Sequence, residues 1–210
     1  MVGNAQATIG GIVLGAGEST RFGSENKLLA PVEGTPVIRR VAAAAIESPL
    51  DDVVTVLGHE ADAVAERLDG LPLSTAYNND YTEGQSTSVR RGIEVGRESN
   101  WDAAVVLLGD MPFVCPTTIE ALIEAYLSGS GSIVAPRYDG RRGNPVLFDR
   151  PLFERLLSVS GDQGGREIVR NHPGTVLLDT SDPGVVRDVD TAGDLPSGGT
   201  PERVRTHGLE

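Results

Sequence analysis

The chain has 210 residues, a length at which one sizeable core and one domain are the ordinary outcome. Its 30 acidic residues against 18 basic ones give a formal net charge of −12, which argues against a nucleic-acid surface or an anionic membrane as partner. A single cysteine, Cys115, excludes an internal disulfide and a cysteine-rich zinc site, and no apolar run approaches the roughly 20 residues of a bilayer span.

The N-terminal "MVGNAQAT" lacks the charged-then-apolar order of a secretion signal, so a cytoplasmic location is expected. Fifteen Asp and fifteen Glu beside one Lys suit a high-salt cytoplasm, where carboxylates keep a surface hydrated. "IGGIVL" (9–14) reads as a buried parallel strand that runs into glycines. Thr35-Pro36 supplies an N-cap and a first-turn proline for a helix to about Ser48. A strand at 52–57, a helix at 60–68, a strand at 71–77 and a helix at 86–99 follow. Then come a strand at 103–108 and a helix at 116–127. Strands at 132–136 and 144–148 and a helix at 164–172 close the series. This alternation predicts an α/β fold: a single-domain, doubly wound, mostly parallel sheet over residues 1–195, with 196–210 as a loose tail ending in a cloning-type "LE".

In such sheets ligands sit beyond the carboxyl ends of the strands, which selects the loops 15–27, 58–59, 78–85 and 109–115. In the first of them, Leu14, Gly15, Ala16 and Gly17 present backbone that an anion can approach closely. The dinucleotide fingerprint fails there, because Thr20 stands where its third glycine belongs, and no Gly-Lys-Ser/Thr completes a P-loop. What remains is a longer loop carrying Arg21 and Lys27, the only lysine in the chain. A guanidinium fork and a compact ammonium are complementary tools for one polyphosphate.

Past the fourth strand, "GDMP" bends sharply and holds the carboxylate of Asp110 outward at the ligand-binding end, the alternative role of a lone aspartate there being to cap the next turn. "VVRDVDTAGDL" adds three further carboxylates, Asp188, Asp190 and Asp194. Alternation along a strand would turn Asp188 and Asp190 to the same face, while Asp194 better suits closing a turn. "YNNDYTEGQSTSVRRG" (77–92) turns at Gly84 and sets Ser86 and Ser88 at a helix start, where hydroxyls meet a base, a ribose or the helix's own free N–H groups. Arg142 and Arg166 sit in glycine-rich turns where a bidentate grip on a phosphate is sterically open, whereas Arg141 equally suits the surface. His59 and His172 lack a second ligand at helical spacing. Cys115 reads as a small buried side chain, and no Ser-His-Asp order is evident.

"LGAGESTRFGSENK" resembles the nucleotidyltransferase signature L-x-A-G-x-S-x-R-x-G-x-x-K of the MobA-like family, with Gly15 where many members have alanine and one additional residue between Gly23 and Lys27. "GDMP", "DVDTAGDL", "GRRGNPVLF" and "GDQGGREIV" extend the likeness over 9–195. The resemblance implies a Rossmann-like nucleotidyltransferase fold and phosphate contacts from Lys27 and Arg21. It also implies Mg²⁺ (or Mn²⁺) on Asp110 and Asp190, and Arg166 at the acceptor. The stretch from Asn79 through Gly84, Ser86 and Ser88 resembles N-x-x-x-x-G-x-S-x-S of cytidylyltransferase-type members. The Gly-Pro-Leu-Ala-Gly of the guanylyl type is absent, so CTP is favoured over other NTPs.

The implied acceptor is molybdopterin, although Asn144 stands where such enzymes often have histidine, and the implied protein partner is a molybdoenzyme or its chaperone. A sugar or polyol phosphate such as methylerythritol phosphate is the rival acceptor. A nucleotide-binding regulator without catalysis and a nicotinamide-dependent dehydrogenase are the rival classes.

Overall fold

The computed structural model describes residues 7–19, 22, 26–161 and 165–195. Arg21 and the expected tail lie outside these residues, as does the "DQG" of 162–164. The strands are β1 (Ile9–Gly15), β2 (Pro31–Val32), β3 (Thr35–Pro36), β4 (Asp52–Leu57) and β5 (Ser74–Tyr77). They continue with β6 (Ala103–Leu108), β7 (Ile133–Tyr138), β8 (Arg141–Arg142), β9 (Val146–Asp149) and β10 (Thr175–Asp179). The helices are α1 (Val37–Ile46), α2 (Ala61–Leu68), α3 (Gln85–Glu98), α4 (Pro116–Leu127), α5 (Phe153–Leu157) and α6 (Arg166–Asn171).

The main sheet runs β10-β7-β9-β6-β1-β4-β5, with β8 paired to β7. β6, β1, β4 and β5 are mutually parallel, and β10 is parallel to β7. β9 runs antiparallel between β6 and β7, so the sheet is mixed but mostly parallel. Strand order reverses at β1: the chain winds outward through β4 and β5, and α3 then carries it back to β6 on the other side. That reversal opens the crevice in which this class of sheet binds ligands.

Both faces of the sheet are buried, which explains the near-continuous apolar runs. Ile9 and Val13 of β1 face one layer with Val105 and Leu107 of β6, covered by α1, α2 and α4 through Ile38, Val64 and Leu122. Ile12 and Leu14 face the other with Ala104 and Val106, covered by α3, α5 and α6 through Ile93, Leu156 and Ile168. Gly92 lets α3 lie directly on β1, because a Cβ there would collide with the side chain of Ile12. At the opposite end of β1 from its ligand-facing carboxyl terminus, Trp101 is 1% exposed and lies against Gly10 and Gly96, where any Cβ would enter the indole.

Several predicted boundaries shift for local reasons. Thr35-Pro36 does not cap α1; the pair forms β3, antiparallel to β2, and α1 begins at Val37 without a side-chain cap. The strand expected from 71 starts at Ser74, because the Leu71 and Leu73 amides close turns onto Leu68 and Leu71. β8, β10 and α5 lie outside the predicted set. β10 is a half-exposed edge strand without the long apolar run of a central one.

Candidate active site

A cavity of about 290 Å³ opens at the carboxyl ends of β1 and β6. Leu14, Ala16 and Gly17 line it from the first loop, and Tyr81, Gly84 and Ser88 from the segment before and inside α3. Lys27, Asp110 and Asp190 meet across it.

Asp110 is placed by the way β6 ends. The Gly109 amide donates to the Leu14 carbonyl at 3.0 Å, and a Cβ on Gly109 would collide with that same oxygen. Only glycine lets the two strand ends close so tightly that the next side chain turns into the crevice. The Met111 amide then closes the turn on Leu108, and buried Met111 anchors it from below.

Asp190 arrives from far along the sequence. The Val189 amide donates to the backbone carbonyl of Asp110 at 2.8 Å, and the Val189 side chain is fully buried. The following residue is further fixed by Asp194, whose carboxylate accepts from the amides of Asp190 (3.1 Å) and Thr191 (2.7 Å) and from the Thr191 hydroxyl (2.9 Å). These bonds hold the Asp194 carboxyl below its ordinary pKa, the Thr191 amide contributing most. Asp194 therefore closes a turn, as its position in the motif suggests. Residues 187–190 form no strand, so the alternation argument for Asp188 fails. Asp188 is exposed and does not line the cavity.

Lys27 opens a short 3-10 turn, Lys27–Leu29. Its backbone amide donates to Ser19 Oγ (3.2 Å), and Asn26 Oδ1 caps the turn by accepting from the Leu28 amide (3.0 Å). The Lys27 Nζ donates to Asp110 Oδ2 at 2.6 Å and to Asp190 Oδ1 at 2.9 Å. Burial opposes the charge on this ammonium, but Asp110 and then Asp190 outweigh it and hold the pKa above the ordinary lysine value. Ser19 and Asn26 escaped the sequence reading, although an Asn directly before a lysine turn is a capping signal.

The other predicted residues divide. Gly15 is buried beside the cavity, not in its lining, with Ile38 and Thr55 against the position a Cβ would take. Ser88 lines the cavity and accepts from Asn78 Nδ2 at 3.0 Å, whereas Ser86 is 1% exposed and its hydroxyl lies behind the wall. Asn79 is exposed and outside the lining; its neighbour Asn78 organises the loop, donating to Thr87 and Ser88 and accepting from the Asp80 amide. Cys115 is exposed at the start of α4, against the expectation of burial, because its backbone rather than its thiol is tied down by Asp182. Arg142 and Arg166 line a second, smaller cavity of about 40 Å³ that adjoins the first through Leu14, Gln85 and Leu108.

No group of three or more His, Cys, Asp or Glu gathers as a ready-made metal cage among the described residues. Two carboxylates that converge on one ammonium do fit Mg²⁺ or Mn²⁺, ions of the kind that keep several waters and take further ligands from substrate phosphates.

Nicotine blue oxidoreductase of Paenarthrobacter nicotinovorans is 33% identical over 189 residues, covering 86% of this chain and 91% of that protein. The crystal structure of Rv0371c from Mycobacterium tuberculosis H37Rv superposes with a TM-score of 0.77 at 29% identity, over 90% of this chain and 96% of that one. A manganese complex of the same mycobacterial protein gives 0.73 at 28% identity, over 90% and 96%. The profile of the MobA-like NTP transferase domain matches residues 11–176, a span that holds most of β1, Lys27, Asp110 and both arginines of the second cavity, and the chain belongs to that family.

Proposed function

We propose that the protein is a divalent-metal-dependent nucleotidyltransferase, its transferase unit spanning residues 1–195, that moves a nucleoside monophosphate from CTP to a phosphate-bearing acceptor, molybdopterin in our reading. The observation that carries this is the meeting of Lys27 with Asp110 and Asp190 at the switch-point crevice, beside the backbone of Leu14, Ala16 and Gly17. An oxygen of the acceptor phosphate attacks the α-phosphorus in line. The bond to the bridging oxygen breaks, and its electron pair leaves with pyrophosphate. Such displacement needs little covalent help; positioning and charge neutralisation carry it.

Asp110 and Asp190 would hold Mg²⁺ or Mn²⁺, which supplies charge neutralisation on the phosphates when bound; the manganese complex of the mycobacterial relative supports a divalent ion. Lys27 donates to phosphate oxygens as charge grows on them, and Arg21 serves the same polyphosphate. The amides at 14–17 take the phosphate backbone, while Tyr81, Gly84 and Ser88 receive the nucleoside. Arg166 belongs to the acceptor side. The expected setting is cytoplasmic, with a molybdoenzyme or its chaperone receiving the product; no helix among the described residues is long and apolar enough to cross a membrane.

A second reading comes from the oxidoreductase name of the relative that matches almost end to end. Pyrophosphate release from each of four NTPs with Mg²⁺ and either molybdopterin or methylerythritol phosphate tests the first reading, and NADH consumption tests the second. Release that requires CTP and molybdopterin together is the expected result. Oxidation of NADH without pyrophosphate release would replace the transferase reading.

A further inference from the structure

Arg142 projects from β8 and Arg166 from the start of α6 into the second cavity, and Arg170 lies one helical turn beyond Arg166. Among the described residues no carboxylate pairs with any of the three guanidinium groups. Ten of the fourteen described arginines lack a carboxylate partner, so what sets these three apart is that they lie close enough for Arg166 and Arg170 to act on Arg142, with Arg142 and Arg166 around one cavity. Three like charges left together call for an anion that the protein itself does not supply. The rest of the wall is mostly apolar, with Val89, Val106, Val146 and Phe148 beside the neutral amides of Gln85 and Asn144. Its volume of about 40 Å³ suits one small group and excludes a second nucleotide.

The two cavities divide their charged groups cleanly. Lys27, Asp110 and Asp190 line only the first, and Arg142 and Arg166 only the second. The residues they share are two leucines, Leu14 and Leu108, and the neutral amide of Gln85. A reacting phosphate has to lie in the first, beside the nucleotide. The arginines therefore serve something else on the same molecule.

We propose that the second cavity is a distal acceptor subsite, and that the acceptor is a phosphomonoester bearing a second anionic group beyond a compact apolar body. This rests on the transferase reading for the word acceptor, and on the arginine cluster for the second charge. A carboxylate or a second phosphate meets the requirement; a polyol monophosphate, whose far end is neutral, does not. Desolvation, then the neighbouring charges of Arg166 and Arg170, depress the pKa of Arg142.

The test uses two rigid probes that differ only at the far end, phenyl phosphate and 4-carboxyphenyl phosphate. Each is titrated calorimetrically into the full chain and into the Arg142→Gln/Arg166→Gln double variant. The carboxylated probe should bind wild type about tenfold more tightly or better, the usual worth of hydrogen bonds to charged groups. That advantage should fall below about twofold in the glutamine variant and return in part in Arg142→Lys/Arg166→Lys. Equal affinities in wild type, no binding of either probe, or an advantage that survives in the glutamine variant would each overturn the proposal. Binding of CTP with Mg²⁺ is measured in parallel on the wild-type chain. Its failure beside a retained carboxylate preference would remove the transferase reading and leave the anion site standing.

Discussion

Lys27 stands where two carboxylates need a cation and where a nucleotide would bring phosphates, so its shape matters as much as its charge. Lys27→Ala should lower kcat by about 10²–10³ with a smaller change in KM, as expected for a group that acts on developing charge. Lys27→Arg is the more telling variant in a chain with 17 arginines. A planar fork does not fit between Asp110 and Asp190 as an ammonium does, so most of the loss should persist in steady-state assays. Near-normal turnover would reduce Lys27 to an ion-pair partner. Among the carboxylates, Asp110→Asn and Asp190→Asn should collapse turnover and raise the Mg²⁺ concentration needed for half activity. Asp188→Asn should change neither, because Asp188 is exposed and outside the lining. A large effect at Asp188 would mean that the DVD segment rearranges in the working enzyme.

The segment after α6 shows how single elements hold these residues in place. Asp194 binds the amides on which the position of Asp190 depends, and its pKa is depressed by those bonds. A carboxyl with a depressed folded pKa adds stability above its ordinary value of 3.8, and that contribution is lost as pH falls through the folded value. Asp194→Ala should therefore weaken Mg²⁺ activation at neutral pH and flatten the acid side of the stability profile below about pH 4, read by denaturant unfolding at stepped pH. Asp182 does comparable work for α4. Only 8% exposed, it accepts from the Cys115 amide, the Thr118 hydroxyl and the Gly184 amide. Asp182→Ala orphans those donors at about 1–3 kcal/mol, which should lower Tm by roughly 2–4 °C per kcal/mol in calorimetry. The turn closed by Asp194 was legible in its motif, because its partners are local, whereas the role of Asp182 was not, because it ties residue 182 to Cys115 and Thr118 far away in the sequence.

Across the whole molecule, legibility followed how local the cause was. The central strands announced themselves because burial on both faces demands unbroken apolar runs, as in "IGGIVL" and "AAVVLL". The strand expected at 144–148 is β9, but its reversal stayed hidden, since a short apolar strand carries no mark of direction; β10 was missed because it is half exposed. The glycine loop, Lys27 and Asp110 were legible because chemistry and strand ends coincide there. Asn78 was missed for its neighbour Asn79, because which of two adjacent amides turns inward depends on the end of β5. Thr35 misled because Ser, Thr and Pro serve hairpins as readily as caps.

Trp101, the only tryptophan in the chain, gives the molecule a built-in optical reporter. It is sealed under Gly10 and Gly96, about 20 Å from the crevice along β1 at 3.3 Å per residue. Its emission should lie far to the blue in the folded state and move to the red only when the sheet comes apart. Adding nucleotide and metal should leave the spectrum almost unchanged while shifting the unfolding midpoint upward through preferential binding to the folded form. One fluorescence channel therefore reports unfolding without a direct signal from bound ligand, and occupancy is recovered from the displacement of the melt.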